Sequence, residues 1–286
     1  MKFLHFSDIH YGNLCFFLPE LLGKRALGMA NYYFNRRKKY NQSVLSAIFN
    51  TEEFKGLDAA VFTGDITSTA LHSEFSDSRF FFRKIKDFVP KLLMIPGNHD
   101  NYEKRAFREN RYFRYMDEFG PGTPEGFPCL FSTADADFIL FNSSAPAGWT
   151  RADGFVGERA FKKARRILEQ RENERPLVIL NHFPAEYPGD SRFGEKRRMR
   201  DLSEMRAFVE DSGCVLYLHG HEHRPWIIDK GGVRYADAGS ATMMSCPSCL
   251  LHEIKASGEL RSEVFIYDID SNRWIAEKPD RFIYRS

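Results

Sequence analysis

The stretch LYLHGHEH, residues 216–223, places imidazoles at alternate positions: His219, His221 and His223. The apolar run over residues 215–218 predicts a buried strand, and the histidines come where that strand ends. Imidazole rings at a strand end are candidates for metal binding or for proton transfer. We expect His219 to be buried beside the site rather than in it, because it still belongs to the strand.

Polar side chains follow five predicted strands in the same way. The strands are Lys2–Ser7, Leu57–Thr63, Lys91–Ile95, Pro176–Asn181 and Cys214–Leu218. In open α/β sheets, ligands bind beyond the carboxyl ends of the strands, so the residues that follow them meet at one edge. The candidate metal ligands at these ends are Asp8, His10, Asp65, Asn98, His182, His221 and His223.

This set of ligand types predicts divalent metal ions. Carboxylate and amide oxygens combined with imidazole nitrogens suit Mn²⁺, Fe or Zn better than Mg²⁺ alone. The set is too large for one catalytic ion that keeps an open position, but it suits two ions that share a bridging carboxylate. Two metals about 3.5–4 Å apart can hold a hydroxide between them and clamp the oxygens of an in-line displacement at phosphorus. We expect two divalent ions, with Mn²⁺ favoured.

The order of the motifs along the chain is more informative than any one of them. D-x-H arises by chance in many chains, although G-N-H-D is rarer. The motifs in chain order are SDIH (7–10), TGD (63–65), GNHD (97–100), NH (181–182) and GHEH (220–223). This series resembles that of the calcineurin-like metallophosphoesterases over about residues 1–240, with no motif residue missing.

The resemblance implies an α/β fold, a four-layer αββα sandwich of two mixed β-sheets flanked by helices. Short strands separated by turns predominate from Trp226 onward, and this β-rich part would complete the second sheet. No linker rich in Pro, Gly or Ser divides the chain. We therefore expect residues 1–286 to form a single domain.

The resemblance also implies a role for each motif residue. One metal would be bound by Asp8, His10 and His223, and the other by Asn98, His182 and His221. Asp65 would bridge the two ions. Attack at phosphorus by the bridging hydroxide would be direct, with His99 as the catalytic histidine that donates a proton to the leaving group. Asp100 would orient His99 through a hydrogen bond.

Two further stretches resemble bacterial members close to the class III cyclic-nucleotide phosphodiesterases: residues 64–75 and 197–225. A phosphodiester is thus the expected substrate, and a cyclic nucleotide is one candidate. An enzyme alternative is a pyrophosphatase that cleaves a nucleotide-linked lipid of the UDP-diacylglucosamine type at the inner membrane. A non-enzyme alternative is a scaffold that keeps the fold without catalysis, although such proteins usually lose ligands that this chain retains.

The segment of residues 11–41 is peculiar to this chain. It is aromatic and then basic, and no acid separates its cations, which are Lys24, Arg25, Arg36, Arg37, Lys38 and Lys39. Three interpretations stay open: a lid over the metals, a helix that contacts an anionic membrane surface through residues 14–39, or a helix packed on the body. Composition alone does not separate an interfacial face from a core-facing one.

A second basic cluster follows the His182 motif and consists of Arg192, Lys196, Arg197, Arg198 and Arg200, of which Arg197, Arg198 and Arg200 are the candidate substrate-binding residues. It is a candidate for binding substrate phosphates, and a solvated loop is the alternative. Elsewhere, Cys246 and Cys249 form a C-x-x-C that is more typical of two ordinary thiols than of a zinc site without a second pair.

Composition limits the other classes of function. The chain has 286 residues and a net charge of +2, which argues against a dedicated nucleic-acid-binding protein. No apolar stretch of about 18 residues predicts a transmembrane helix, and residues 1–9 lack signal-peptide features. Five cysteines at irregular spacing indicate a reducing compartment. We expect a cytoplasmic protein, with a peripheral position at the inner membrane as the alternative.

Overall fold

Two mixed β-sheets pack face to face, and helices cover their outer faces. The computed structural model describes residues 1–15, 24–146, 148, 151–171, 174–189, 194–278 and 282–285. The expected four-layer α/β sandwich is confirmed.

The first sheet has the order β12-β11-β10-β1-β2-β3. Strands β1, β2 and β3 are parallel, while β10, β11 and β12 join them by antiparallel pairing. The strands are β1 (Lys2–Phe6), β2 (Ala59–Phe62), β3 (Leu92–Met94), β10 (Ser248–Ile254), β11 (Leu260–Asp268) and β12 (Arg273–Ala276).

The second sheet has the order β13-β8-β9-β7-β6-β5-β4. Strands β5, β6, β7 and β9 are parallel, and β4 and β8 pair antiparallel at either side of them. The strands are β4 (Cys129–Ser132), β5 (Asp137–Leu140), β6 (Leu177–Leu180), β7 (Cys214–His219), β8 (Pro225–Lys230), β9 (Val233–Ala238) and β13 (Ile283–Arg285).

The helices lie mostly in the crossover connections between parallel strands. The α-helices are α1 (Lys24–Asn31), α2 (His72–Phe88), α3 (Lys104–Arg108), α4 (Arg111–Met116), α5 (Glu158–Glu169) and α6 (Leu202–Asp211). A π-helix, Tyr32–Arg36, continues α1. Short 3₁₀ helices are Gln42–Asn50, Glu52–Phe54, Pro124–Gly126 and Glu195–Arg197. None of the described helices is both long and apolar enough to cross a membrane.

Aromatic side chains fill the layers between these elements. Phe3 of β1 meets Phe138 of β5 edge to face across the space between the sheets, at 5.7 Å between ring centroids. On the outer face of the first sheet, Phe62 packs on Phe82 of α2 at 5.0 Å. Apolar burial of this kind contributes about 25 cal/mol per Å² and fixes the sheets that carry the site.

The main differences from the predicted elements lie in short segments. The apolar spacing of Val44, Leu45 and Ile48 predicts a helix over residues 41–54. The structure winds this segment as two 3₁₀ helices, with those three residues buried. The sequence also predicts that His252 is a surface residue, and that prediction is wrong. Its ring is fully buried in β10 and contacts Ser262 Oγ at 2.8 Å, because it lies on the strand face that also buries Phe3.

Candidate metal centre

Five strands end at one edge of the molecule and deliver polar side chains there. Strands β1, β2 and β3 run parallel in the first sheet, and β6 and β7 run parallel in the second. The segments that follow them therefore enter a common space. The structure brings together all the candidate ligands predicted from the motifs: Asp8, His10, Asp65, Asn98, His182, His221 and His223.

The first group of ligand atoms comes from Asp8, His10, Asp65 and His223, and these atoms lie within 4.8 Å of one another. His223 Nε2 is 2.9 Å from Asp8 Oδ1 and 3.0 Å from His10 Nε2. Donor atoms about 2.1 Å from an octahedral ion lie about 3 Å from each other, so this group has the dimensions of a metal site.

The second group comes from Asp65, His182 and His221, again within 4.8 Å. His182 Nε2 lies 3.4 Å from Asp65 Oδ2 and 3.1 Å from Asn98 Oδ1. Asp65 belongs to both groups. Its Oδ2 faces His182 in the second group and lies 3.8 Å from His10 Nε2 in the first.

Backbone carbonyls determine which nitrogen of three imidazoles faces the site. A carbonyl only accepts hydrogen bonds, so the ring nitrogen beside it carries the hydrogen and the other nitrogen presents a lone pair. The pairs are His10 Nδ1 with Thr67 O at 3.2 Å, His182 Nδ1 with Thr63 O at 2.7 Å, and His221 Nε2 with Arg197 O at 2.8 Å. The lone pairs on Nε2 of His10 and His182 thus face other acceptor atoms. A cation placed between these atoms would stabilise the arrangement.

The backbone of the candidate ligands is strained. Most non-glycine residues avoid positive φ, and each exception costs on the order of 1–3 kcal/mol unless the surroundings enforce it. Residues with positive φ at the site are Asp8 (55°), His10 (44°), Asp65 (61°), His221 (77°) and His223 (57°). Concentration of this strain at one place indicates that the fold holds these side chains in a required geometry.

Two motif glycines make room for the carboxylates. A Cβ on Gly97 would overlap the Asp65 carboxylate, and a Cβ on Gly220 would overlap Asp8 Oδ2 and the Ser7 hydroxyl. Gly97 therefore allows the segment after β3 to approach the segment after β2 closely. Gly220 does the same for the segments after β7 and β1.

The chemistry of the donor set fits divalent cations. Asp8 Oδ1 and Asp65 Oδ2 are buried and receive no hydrogen bond from the described residues. Burial disfavours ionisation of Asp65, but the charges of His182 and His99 outweigh it and hold the pKa of the carboxyl well below its usual range. Burial likewise disfavours protonation of His182, but facing Asp65 raises the pKa of His182 to about 9. The cluster thus attracts positive charge, whether a proton or a metal ion.

His99 lies beside the cluster but belongs to neither of the two groups of candidate ligand atoms. Its Nδ1 is 2.7 Å from the Ser68 carbonyl, its ring centroid is 4.9 Å from that of His10, and Tyr102 stacks on it at 5.3 Å. The carbonyl fixes the hydrogen on Nδ1, so Nε2 is the nitrogen that can transfer a proton.

The Asp100 carboxylate stabilises the backbone of the site. It accepts hydrogen bonds from the amides of Asp65, Ile66, Thr67 and Gly97 at 2.9–3.2 Å. The expectation that it orients His99 directly needs revision, because these bonds instead hold the loop that carries Asp65. The link to His99 runs through Thr67, whose hydroxyl contacts both Asp100 Oδ1 and the His99 carbonyl at 3.1 Å.

Comparison with known families agrees with this geometry. A family model described as calcineurin-like phosphoesterase matches residues 1–225. The chain belongs to the calcineurin-like phosphoesterase family.

One curated relative of this phosphoesterase is a protein named "Probable cyclic nucleotide phosphodiesterase" from Fibrobacter succinogenes. It is 25% identical over 177 residues, which are 61% of this chain and 61% of the relative. The chain therefore spans about three fifths of the length of that relative.

Two solved structures are similar to this chain at low sequence identity, and the first of them shares its fold. Purple acid phosphatase from yellow lupin (Lupinus luteus) seeds matches with a TM-score of 0.60 and 12% identity, covering 100% of this chain and 54% of that one. Phosphopantetheinyl hydrolase from Mycobacterium tuberculosis matches with a TM-score of 0.47 and 17% identity, covering 84% and 89%.

Within the segment of residues 11–41, we call residues 24–40 the insert wall. This part is anchored on the body of the molecule. The buried Arg25 donates to the Thr69 carbonyl at 3.1 Å and to Glu103 at 2.8 Å. At the other end, the Met244 amide donates to the Lys39 carbonyl at 2.8 Å. The packed interpretation thus holds for this part, while residues 16–23 lie outside the described residues.

The insert wall also borders a cavity of about 370 Å³ above the metal cluster. The sequence did not predict which residues of the insert wall contact the site, because these contacts join residues far apart in sequence. Tyr40 is the example: its hydroxyl is 3.2 Å from His223 Nδ1, and its ring lies 4.8 Å from that of His10. The lining residues are Asn31, Asn35, Lys39, Tyr40, Asp65, Asn98, His99, Ala152, Arg197, His221, Glu222, His223 and Met243.

The three arginines predicted to bind substrate have different surroundings. Arg197 borders the cavity. The Arg198 guanidinium lies 4.3 Å from the centroid of the Tyr187 ring, and that of Arg200 lies 4.5 Å from the Phe155 ring. Of the three, the structure favours Arg197 as a residue that substrate can reach.

Proposed function

We propose that the protein is a dinuclear-metal phosphodiesterase, with Mn²⁺ as the preferred ion. The observation that carries the proposal is the sharing of Asp65 by two groups of ligand atoms, each of metal-site dimensions. The mixture of carboxylate, amide and imidazole donors supports Mn²⁺, Fe or Zn. Asp65 is the proposed bridging ligand, with Asp8, His10 and His223 on one side and Asn98, His182 and His221 on the other.

The protein groups act by holding charge and by placing substrate. When bound, the two ions supply Lewis acidity that activates water near neutral pH and neutralises charge on the phosphate. Asp8 keeps its negative charge in a buried position, because facing His223 and His10 outweigh the burial and hold the pKa of the carboxyl well below its usual range. Two carboxylates do not cancel two divalent charges, so the centre attracts a phosphodiester anion.

His99 is the proposed general acid. The Ser68 carbonyl at 2.7 Å stabilises a ring that is protonated on both nitrogens, and Nε2 is then the atom that donates to the departing alkoxide. His99 borders the cavity, so a bound phosphodiester can reach it. This role requires no covalent bond between protein and phosphorus.

A small phosphodiester is the proposed substrate class, and a cyclic nucleotide is the first compound to screen. A relative named as a cyclic nucleotide phosphodiesterase supports the choice. The cavity of about 370 Å³ also lies within the usual size range of small-molecule sites.

Hydrolysis of bis-p-nitrophenyl phosphate tests the chemistry. We expect turnover with Mn²⁺ and loss of turnover with chelator. His99→Ala should lower kcat about 10²-fold or more on a cyclic nucleotide, whose alkoxide leaving group requires protonation, which is the range usual for a general acid. The loss should be smaller on bis-p-nitrophenyl phosphate, because p-nitrophenolate leaves as a stable anion. Metal content of the variant should equal that of the wild type. The matched control is His72→Ala, since His72 lies on α2 with 45% of its side chain exposed and should leave kcat unchanged. Loss of metal together with activity in His99→Ala would make His99 structural.

A second candidate is peripheral action at an anionic membrane, on a nucleotide-linked lipid. The observation that favours it is the outer face of the insert wall, where Leu27, Tyr33 and Phe34 are 56%, 55% and 78% exposed. The basic residues Arg37 and Lys38 are exposed beside them. Apolar side chains next to cations suit the interface of anionic lipids.

Co-sedimentation with vesicles of phosphatidylcholine, with and without phosphatidylglycerol, tests the second candidate. Binding to the anionic vesicles should fall in the double variant Tyr33→Ser, Phe34→Ser. The control is Phe80→Ser, because Phe80 is 67% exposed on a different helix. Equal binding of both variants, or none by the wild type, would exclude the membrane role.

A further inference from the structure

One face of the insert wall presents three polar side chains to the cavity. Asn31, Asn35 and Lys39 recur at intervals of four residues, and all three line the cavity. The π-helix between them, marked by the bond of 2.8 Å from the Arg37 amide to the Tyr32 carbonyl, has a wider turn than an α-helix. That turn keeps side chains four residues apart on one face.

The chemistry of these side chains is that of a donor-rich site. Asn35 Nδ2 donates to Asn31 Oδ1 at 3.0 Å, and none of the described residues accepts a hydrogen bond from Asn31 Nδ2. Among the described residues, no acidic side chain forms a salt bridge with Lys39. Its ammonium offers three further donors and a positive charge.

The position of this donor set is fixed. The Lys39 carbonyl accepts from the Met244 amide at 2.8 Å, and the next residue, Tyr40, forms an isolated β-bridge with Met243. The root of the Lys39 side chain is therefore held by backbone contacts with the loop before β10. A fixed root reduces the entropy that a flexible lysine loses when it binds a ligand.

The reacting phosphate does not require the charge of Lys39. Its counter-charge would come from the two metal ions that Asp8, Asp65 and the neighbouring histidines are proposed to hold. Resting on the proposed phosphodiesterase function, we propose that Asn31, Asn35 and Lys39 form a subsite that binds a second anionic group of the substrate, such as a terminal phosphate. Substrates with such a group on one ester arm would be preferred to neutral-armed diesters.

A matched pair of substrates isolates the subsite. One is ethyl p-nitrophenyl phosphate, and the other is the same diester with a phosphonate at the end of the ethyl chain. Both release p-nitrophenol from the same reacting centre, so a ratio of their kcat/KM values reports the second anionic group alone. We expect the phosphonate-bearing diester to be preferred about three- to tenfold, as for an exposed charge contact assisted by hydrogen bonds. Higher ionic strength should reduce the preference.

Neighbouring lysines provide matched variants. Lys38 and Lys39 are adjacent and both exposed, but only Lys39 is among the described residues that line the cavity. Lys39→Ala should abolish the preference, Lys38→Ala should retain it, and Lys39→Arg should restore most of it. Turnover of the neutral-armed diester should change little in Lys38→Ala. Absence of a preference in the wild type, or its equal loss in Lys38→Ala and Lys39→Ala, would overturn the subsite.

Binding separates failure of the subsite from failure of the proposed function. Calorimetric titration of the Mn²⁺-loaded protein compares ethyl phosphate with its analogue that bears a terminal phosphonate. If the wild type hydrolyses neither diester, the phosphodiesterase proposal fails. The subsite then stands if the analogue binds more tightly than ethyl phosphate and Lys39→Ala removes the difference, and it falls if the two ligands bind alike.

Discussion

The metal cluster and the insert wall face the same cavity but are built in opposite ways. The cluster is almost wholly buried, and five of its candidate ligands have positive φ. Its ring nitrogens are set by backbone carbonyls. The insert wall is helical, exposes Leu27, Tyr33 and Phe34, and offers amides and an ammonium to the cavity.

This difference separates two tasks. A reacting centre requires ligand positions held to within a fraction of an ångström, and strained backbone packed between two sheets provides that rigidity. Recognition of the rest of a substrate tolerates half-exposed side chains on a surface element. Loops and insertions of this type carry specificity because a rigid scaffold positions them.

Among the described residues, Tyr40 and Gly28 link the two regions. Tyr40 reaches from the insert wall to His223 at 3.2 Å. Gly28 of α1 lies against Tyr102, which stacks on His99 at 5.3 Å. The comparison therefore predicts large effects for changes in the cluster, intermediate effects at Tyr40 and small effects at Gly28.

Asp65→Asn should have the largest effect. The change removes the one charged oxygen that faces both His10 and His182, so both groups lose affinity for a divalent ion. We expect bound Mn²⁺ to fall from about two ions to at most about one per chain and turnover to fall about 10³-fold or more. Metal analysis of the dialysed protein and hydrolysis of bis-p-nitrophenyl phosphate measure these changes.

The control for that variant is Asp229→Asn, in which a 54%-exposed carboxylate paired with Arg234 is removed. It should keep both ions and full turnover. Two tightly bound ions in Asp65→Asn would contradict the assignment of Asp65 as the ligand that bridges the two metal ions.

The cluster could be predicted from sequence because its residues follow buried strands. Runs such as those before Asp8 and His182 mark strands by their apolar composition, and parallel strands bring their ends together whatever the details of the sheet. The same logic predicted that His219 is buried. It lies 3.2 Å from Asp237 in the structure, behind the ligands rather than among them.

The insert wall could not be predicted to the same degree. Its aromatic and basic composition is equally typical of an interfacial helix and of a packed one, and the choice depends on Arg25, whose partners Thr69 and Glu103 are distant in sequence. The role of Asp100 also depends on tertiary contacts, since only the folded loop brings the amides of residues 65–67 to its carboxylate.

Tyr40→Phe should have an intermediate effect. With a metal ion on His223 Nε2, which faces the cluster, Nδ1 would carry the hydrogen and donate it to the Tyr40 hydroxyl 3.2 Å away. Loss of such a partner of a metal-binding histidine typically lowers metal affinity about 10- to 100-fold, and we expect the lower end because Nδ1 can turn to water. Electron paramagnetic resonance of free Mn²⁺ during titration measures the change, and kcat at saturating Mn²⁺ should stay close to that of the wild type.

Tyr32→Phe is the matched control for Tyr40→Phe, since it removes a hydroxyl of the same segment that donates to the Gly12 carbonyl at 2.5 Å. Mn²⁺ affinity should not change in this control. Equal affinities of the two variants would show that Tyr40 only packs against the site, and the two regions would then be coupled less closely than the geometry indicates.

Gly28→Ala should have the smallest effect and tests the other contact. An added Cβ would lie 2.8 Å from Cε1 and Oη of Tyr102, so the Tyr102 ring must shift away from α1 and disturb its stacking on His99. Alanine also favours the helix by about 1 kcal/mol, which offsets the cost of the shift in overall stability. We expect kcat to fall about three- to tenfold through the changed position of His99, with Mn²⁺ affinity and melting temperature close to those of the wild type.

The control is Gly189→Ala, where a Cβ meets nothing within 4 Å. If Gly28→Ala instead lowers Mn²⁺ affinity and leaves kcat intact, the insert wall acts on the metal cluster rather than on His99, and the division of tasks between the two regions must be redrawn.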